Sequence, residues 1–384
     1  MAGQENPYVL YGAYASYYTG KTRSYLRKKG IPFIERVVSH PRFRNVIRPT
    51  AQSKRVPILE APDGTIIQDT TAIFEYLEAR FPTPPALPPG PRQRLAAYLF
   101  DLFCSENMKI AWHYRWNFPE QNQRFVTMDF GRSFRPQGSD DELARYGDLI
   151  AAQMDGHRAN IGITPDMFGV MDEIYFDLLD TLERHFTHHP FLLGGLPSVG
   201  DFGLMGPLFA HLARDPYPLH IMQMRSPRVF RWVEHMNTPE IRAPEFFDYP
   251  LEYLADDAVP ETIVTLLRQF TQDYTPVYRE GVALYNDWAS RHASLPPGSI
   301  ISPDGQDQPS LGRITVTLRG HTMTPASQAH SLWVLQRTLN WLKHLDAPAR
   351  TACRDFAAEC GAEELLALNL VRPLSRTRNR LSLG

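Results

Sequence analysis

Residues 54–76, KRVPILEAPDGTIIQDTTAIFEY, constrain the fold more than any other part of this chain. The Val-Pro step favours the start of a strand, because the first residue of a strand is one of the few places where a sheet accepts proline. The Pro-Asp-Gly turn at 62–64 and the β-branched run at 65–67 then predict a hairpin. Asp69 or Thr70 can cap the helix that follows.

The start of that helix has groups that could bind the carboxylate and the ammonium group of an amino acid. A helix N-terminus presents unpaired N–H groups and a partial positive charge, which favour a carboxylate. The acidic side chain of Asp69 beside it could receive an ammonium group. A ligand with both groups on one carbon, such as a γ-glutamyl end, would fit. The alternative is a plain hairpin followed by a capped helix.

The residues upstream predict a strand, a helix and a second strand. The β-formers at 8–11 and 33–38 indicate the strands, and the helix is expected at about 20–29. This βαβ unit before the hairpin gives the thioredoxin-like order of elements. Ser16 lies in the loop after the first strand, about four residues before the predicted helix.

In these segments the chain resembles the cytosolic glutathione transferases, a family with a thioredoxin-like N-terminal domain. The resemblance implies that Pro57 is cis and that the backbone of Val56 binds the cysteinyl part of glutathione. It also implies that Asp69 and Thr70 bind the γ-glutamyl end. Glutathione is therefore the expected co-substrate.

The expected chemistry is ionisation of the glutathione thiol, which titrates near pH 8.5 when free, at about the value of cysteine. A hydroxyl that donates a hydrogen bond to the sulfur beside a helix N-terminus favours the thiolate. Ser16 is the first candidate, since SYYTGKTR at 16–23 is similar to the family's Ser-Pro-aromatic-small-x-basic-x-Arg pattern, with Tyr17 replacing the proline. Tyr14, Tyr17 and Tyr18 compete with Ser16, because other classes of the family use tyrosine. The alternative is an ordinary loop serine beside tyrosines that only pack.

A basic segment supports an anionic ligand. Between residues 21 and 55 there are eleven Lys or Arg residues and one acid, Glu35. The resemblance puts the glycyl carboxylate of glutathione near Lys54 and Arg55. The alternative is a solvated basic face. Nucleic acid is not expected, because the net charge is −2 and the segment has no base-reading motif.

Six prolines at 81–91 exclude regular helix or strand there and predict a stiff linker. We therefore expect an α/β plus all-α protein with three parts. These are a thioredoxin-like glutathione-binding domain at 1–85, an all-helical domain at 92–245 and a mostly helical extension with one or two strands at 246–384.

Apolar spacing predicts helices in the second part at 92–116, 140–157 and 172–185. Ser198-Val-Gly-Asp201 is similar to a capping box and to the start of the family's central core helix. Together with the N-terminal segments, this motif extends the resemblance over roughly residues 7–240. Met108, Trp112 and Trp116, spaced i, i+4 and i+8, could form the apolar wall of the acceptor site, which the resemblance places on this part's first helix. The alternative for these three residues is core packing.

The extension is expected to contain helices at 258–291, broken near Pro276, and at 327–345 and 350–370. The alternating sequence RITVTLR at 313–319 predicts one half-buried strand. A single strand cannot stand alone, so the extension must pack on the main body or pair with another chain.

The resemblance implies an enzyme of detoxification that transfers the glutathione thiolate to an electrophilic, apolar small molecule. The alternative is a non-catalytic binding or assembly module whose extension recruits a partner. The three cysteines form no metal pattern, and no apolar run approaches 18 residues. We therefore expect no metal, no membrane contact and a cytoplasmic location, with a homodimer as one option for assembly.

Overall fold

The computed structural model describes residues 7–106, 108–301 and 310–384, without the side chains of residues 105, 106 and 108. Its first part is a four-stranded sheet in the order β2-β1-β3-β4. The strands are β1 Tyr8–Gly12, β2 Phe33–Val37, β3 Ile58–Glu60 and β4 Ile66–Gln68. Strand β1 pairs with β2 in parallel and with β3 in antiparallel orientation, and β3 and β4 form the hairpin. The helices of this part are α1 Tyr17–Lys28, α2 Arg48–Ala51 and α3 Thr70–Glu78, with a π-helical turn at Phe43–Ile47 before α2. The thioredoxin-like order is confirmed.

The second part is helical, as expected. Its helices are α4 Pro91–Glu106, α5 Met108–Asn117, α6 Pro119–Phe134, α7 Asp140–Asp155, α8 Arg158–Ile161, α9 Phe168–His185, α10 Val199–Pro207, α11 Pro216–Arg225 and α12 Pro227–Met236, with a π-helical turn at Leu208–Leu212 after α10. The helix predicted at 92–116 is confirmed in the residues that the structure describes there, Pro91–Glu106 and Met108–Asn117. Helix α6 was not predicted. It packs closely on α7, where a Cβ at Gly147 would lie 1.9 Å from the carbonyl oxygen of Thr127.

The capping box at the start of α10 is confirmed and fully buried. Asp201 accepts hydrogen bonds from the backbone N–H and the hydroxyl of Ser198, both at 2.8 Å, and from the N–H of Leu192 at 2.9 Å. Burial raises the pKa of Asp201 to about 6, although these three donors act to lower it. The aspartate therefore ties the loop before α10 to the start of the helix.

The extension contains α13 Glu261–Arg291, β5 Ser310–Arg313, β6 Val316–Leu318, β7 His321–Met323, β8 Ala326–Gln328, α14 Ala329–Lys343, α15 Ala347–Cys360, α16 Glu363–Ala367, β9 Leu374–Thr377 and β10 Arg380–Leu383. The strands form three antiparallel pairs, β5 with β8, β6 with β7 and β9 with β10. The expectation of one or two strands is therefore wrong, since the described residues contain six short ones.

Three further details of the extension differ from the predictions. Helix α13 continues through Pro276, because buried residues on both sides of the proline hold the helix against its neighbours. The segment 313–319 bends after Arg313, so its two ends join different strand pairs. The predicted helix at 350–370 is two helices, since Gly361 ends α15 with a φ of 69°.

The extension packs on the main body. One hydrophobic core contains Leu10 of the sheet, Phe103 of α4, and Tyr274 and Leu339 of the extension. Helix α4 lies at the centre of this core and contacts α10, α13, α14 and α15. A smaller apolar cluster around Tyr11 and Phe43 covers the other face of the sheet.

Candidate active site

A cavity of about 1090 Å³ lies between the N-terminal part and the helical part. Ser16, Lys54 and Val56 line it from the first part, and Trp112 and Trp116 line it from α5. All five are site residues predicted from the sequence, and the structure brings them around one space.

Ser16 is the residue that caps α1 at its N-terminus. Its Oγ accepts a hydrogen bond from the N–H of Thr19 at 3.3 Å, so the hydroxyl is fixed at the positive end of the helix. The side chain is half-buried and lines the cavity. A serine hydroxyl that accepts one bond can still donate its own proton, which gives a ligand in the cavity a hydrogen-bond donor.

Two of the three tyrosines that compete with Ser16 are placed differently from it. The hydroxyl of Tyr17 donates to the carbonyl oxygen of Cys104, and its ring is buried against Gly206. The ring of Tyr14 is 46% exposed and does not line the cavity. It lies between two guanidinium groups, with that of Arg23 at 4.3 Å and that of Arg214 at 4.9 Å from the ring centroid. Tyr18 is half-buried and lines the cavity, as Ser16 and Tyr17 do, so it stays a candidate for the thiol donor. Ser16 differs from all three tyrosines because it caps α1.

The peptide bond between Val56 and Pro57 is cis, as expected. Val56 lines the cavity together with the exposed side chain of Lys54, whereas Arg55 and Pro57 do not. Arg44 joins them in the cavity wall, so this end of the cavity is basic.

Asp69 and Thr70 stand at the start of α3, but neither lines the cavity. Asp69 has a φ of 88°, is 7% exposed, and accepts a hydrogen bond from the N–H of Thr71 at 2.9 Å. Its other carboxylate oxygen lies 2.7 Å from Nε2 of His330, which belongs to α14. Burial would raise the pKa of Asp69, but the neighbouring His330, Arg376 and Thr71 N–H hold it well below its usual range.

The aromatic wall opposite Ser16 is larger than predicted. The rings of Trp112 and Trp116 lie 6.1 Å apart, and Trp116 stacks on Phe130 with an interplanar angle of 8°. Phe134 and Tyr146 continue the wall. Phe130 and Phe134 were missed because α6 was not predicted. The side chain of Met108 lies outside the described residues.

Two polar groups at the cavity were also not predicted from the sequence. His211 is buried, and its Nδ1 has no hydrogen-bond partner among the described residues. Burial and the nearby Arg115 and Arg214 hold its pKa well below the ordinary value, so the imidazole is neutral. The indole N–H of Trp116 is likewise buried without an acceptor in the described part of the chain. A lone histidine or tryptophan in a sequence gives no local signal of such a role.

Within the described ranges 7–106, 108–301 and 310–384, no group of three or more His, Cys, Asp or Glu side chains could hold a metal ion. Cys104, Cys353 and Cys360 are buried free thiols. Burial raises the pKa of Cys104 well above its ordinary value, which disfavours its thiolate. None of the helices in those same ranges has the length and apolar character needed to cross a membrane.

Several solved structures are similar to this chain. One is a glutathione S-transferase from Methylobacterium radiotolerans in complex with glutathione sulfonate, with 21% identity over 65% of this chain and 96% of that chain and a TM-score of 0.37. Another is a beta-etherase from Sphingobium sp., with 19% identity over 63% of this chain and 99% of that chain and a TM-score of 0.42. A third is a glutathione transferase from Phanerochaete chrysosporium, with 18% identity over 62% of this chain and 100% of that chain and a TM-score of 0.42. At these TM-scores the likeness carries no argument about function. No curated protein matches the chain.

Two family models match the sequence directly. The glutathione S-transferase N-terminal domain matches residues 10–85, which contain most of the sheet, Ser16 and the start of α3. The glutathione S-transferase C-terminal domain matches residues 140–235, which contain the buried capping box at Ser198. The two matches follow each other in the order that the strands and helices show, and the chain belongs to the glutathione S-transferase family.

Proposed function

We propose that this protein transfers the thiolate of glutathione to an electrophilic, apolar small molecule. The observation that carries the proposal is the position of Ser16. Its hydroxyl caps α1 on the wall of the cavity, and the cavity has the aromatic residues Trp112 and Trp116 in another wall. A thiol held beside Ser16 and an electrophile held on these rings would share one space.

Ser16 would act on the ionisation of the thiol. Its O–H would donate to the sulfur, and the N-terminus of α1 would add a partial positive charge. The basic residues Arg44 and Lys54 in the same cavity would stabilise a negative ligand further. A thiol pKa lowered by about one unit increases the thiolate fraction nearly tenfold at neutral pH. The electron pair of the thiolate then forms the new carbon–sulfur bond as the leaving group departs.

Other residues would hold the tripeptide. The backbone of Val56 beside cis Pro57 would bind the cysteinyl part, and Lys54 and Arg55 would attract the glycyl carboxylate. Asp69 and Thr70 would bind the γ-glutamyl end once they are accessible. Because Asp69 is buried beneath α14 in this structure, that last contact requires the extension to move.

The aromatic wall would hold the electrophile. Trp112 and Trp116 provide flat apolar surface, and the unpaired N–H of Trp116 could donate to an oxygen on the electrophile. The neutral imidazole of His211 provides a second polar contact. Met108 is proposed as the third member of the wall. We therefore expect planar, apolar electrophiles to bind best.

The test is turnover of an aryl halide by Ser16→Ala. We expect kcat/KM to fall about 10- to 100-fold, which corresponds to about 1.4–2.7 kcal/mol of lost transition-state stabilisation. Ser39→Ala is the matched control, since Ser39 lines the same cavity but does not cap α1. Full activity of Ser16→Ala would show that Ser16 is not the thiol donor. Failure of the unaltered protein to bind glutathione at millimolar concentration would contradict the proposal as a whole.

The non-catalytic module has no specific observation in its favour, because α13, α14 and α15 bury their apolar faces on the chain's own α4. The domain boundaries at 85 and 245, the cytoplasmic location and the homodimer remain predictions.

A further inference from the structure

The extension places two basic side chains on the carboxylate of Asp69. Nε2 of His330 lies 2.7 Å from one carboxylate oxygen, and Nη1 of Arg376 lies 3.8 Å from the other. Arg376 also donates to the backbone oxygen of Gln68 at 3.0 Å, to the side-chain oxygen of the same residue, and to the backbone oxygen of Asn379 at 2.7 Å. These contacts join β9 and α14 of the extension to the end of β4.

Packing fixes both basic groups in place. The guanidinium of Arg376 lies 5.3 Å from the ring centroid of Trp333, and the ring of His330 packs against the same tryptophan at 5.6 Å. Nearby, Asn379 donates to the backbone oxygen of Ala51 at 3.1 Å. The side chains of His330 and Arg376 are 16% and 15% exposed. The contact with Asp69 is therefore an ordered and largely dry part of the fold.

This contact lies where the γ-glutamyl end of glutathione would bind. An ammonium group would pair with the Asp69 carboxylate, but the side chains of His330 and Arg376 already contact its two oxygens. Thr70, beside it, is 3% exposed. In the described part of the chain, the cavity wall includes Ser16, Lys54 and Val56 but neither Asp69 nor Thr70. The cysteinyl and glycyl parts of the peptide have open space, whereas the γ-glutamyl end does not.

We propose that His330 and Arg376 are specificity-determining residues that occupy the γ-glutamyl subsite as an intramolecular ligand, which glutathione must displace. The inference rests on the proposed function of the same cavity. The observed affinity for glutathione is then the intrinsic affinity multiplied by the fraction of molecules in which Asp69 is uncovered. A thiol without a γ-glutamyl end, such as cysteinylglycine, needs no displacement. The chain therefore discriminates weakly between the two thiols.

The experiment compares the two thiols in the double variant His330→Ala/Arg376→Ala. With one aryl halide as electrophile, we expect KM for glutathione to fall about tenfold while kcat is unchanged. We expect KM for cysteinylglycine to stay the same within about twofold. An unchanged or raised KM for glutathione would overturn the inference, and a raised value would mean that the extension completes the subsite instead of filling it.

Arg337→Ala is the matched control, because Arg337 also ties α14 to the main body but does not touch Asp69. It lies 3.3 Å from Glu75 of α3 and 3.4 Å from Asp101 of α4. We expect it to leave KM for glutathione unchanged. A fall in KM as large as that of the double variant would show that loosening the extension anywhere suffices, and would overturn the specific role of His330 and Arg376.

Two further measurements keep the inference testable if the double variant does not fold or if no electrophile is turned over. Calorimetry of glutathione binding to the unaltered protein and to His330→Gln needs no turnover, and a smaller Kd in the variant supports the inference even where the transfer activity fails. Hydrogen exchange of the unaltered protein is expected to increase at α14 and β9 when glutathione is added. An equal Kd in both proteins, or exchange at these elements that glutathione leaves unchanged, would overturn the inference.

Discussion

The two ends of the proposed glutathione site differ in how their polar groups are satisfied. At Asp69 the carboxylate is buried and has three partners within the chain, which are His330, Arg376 and the N–H of Thr71. At Ser16 the hydroxyl is half-buried on an open cavity and accepts one bond from its own helix. A group that is already paired inside the fold contributes to stability, whereas an available group on a cavity wall can act on a ligand. Substitutions at the two ends should therefore affect different properties.

The largest expected effect is on stability at the buried end. Asp69→Ala would leave Arg376 largely buried without its counter-charge and His330 without its hydrogen-bond partner, so we expect a loss of about 3 kcal/mol in the free energy of unfolding. Urea denaturation measures it. The control is Asp287→Ala, which breaks an exposed pair with Arg291 inside α13 and should cost under about 0.5 kcal/mol. A loss at Asp69 no greater than the control's would mean that the contact with the extension adds little to stability.

The next effect is on ionisation at the open end. In Ser16→Ala we expect the pKa of the bound glutathione thiol to rise by about one unit, because the hydrogen bond to the thiolate is lost. The thiolate absorbance near 240 nm would be followed against pH. The same substitution removes a helix cap, so it should cost about 1 kcal/mol of stability. An unchanged thiol pKa, in a variant that still binds glutathione, would assign the role to another group.

A third effect concerns another buried charge, Lys28 of α1. Burial lowers its pKa to about 7, and it donates to the backbone oxygen of Glu240. Between pH 7 and the ordinary lysine value near 10.5, the unfolded chain binds more protons, so Lys28 makes the free energy of unfolding rise with pH. The free energy of unfolding of the unaltered protein, minus that of Lys28→Met, should rise by up to about 1.4 kcal/mol per pH unit above pH 7. Below pH 7 this difference should not change with pH. The exposed Lys343→Met controls for the loss of one positive charge, and a slope equal to the control's would contradict the burial effect.

The smallest effect separates Tyr17 from Ser16. Because the Tyr17 hydroxyl donates to the carbonyl oxygen of Cys104, Tyr17→Phe should cost about 1 kcal/mol of stability and leave kcat/KM within about twofold. Thermal unfolding and turnover of the aryl halide measure the two quantities. If Tyr17→Phe loses as much activity as Ser16→Ala, the tyrosine is the better candidate for the thiol donor.

Local signals in the sequence predicted most of the N-terminal part. The hairpin, the start of α3 at Asp69 and the capping box at Ser198 depend on residues only a few positions apart. The same holds for the cis bond before Pro57, which followed from a resemblance carried by a short motif. These features are fixed by backbone geometry and capping, which a single stretch of sequence contains.

The features that were missed depend on contacts between distant residues. His330 and Asp69 are 261 positions apart, and neither has a neighbour that signals the other. Helix α6 lies in a polar region of the sequence and is held by its packing on α7 at Gly147. Pro276 is tolerated because α13 has buried residues on both sides of it, which is a property of the assembled core and not of the proline.

The shared core has a consequence for how the protein is made. Leu10 of β1 and Leu339 of α14 belong to one apolar cluster, with α4 between them. During synthesis, the face of α4 that α13, α14 and α15 cover therefore stays exposed until the ribosome has added those helices. Chains of this length generally fold domain by domain from the N-terminus, and exposed apolar surface on such intermediates promotes aggregation. The newly made helical part should accordingly depend on chaperones for longer than a domain that closes its own core does.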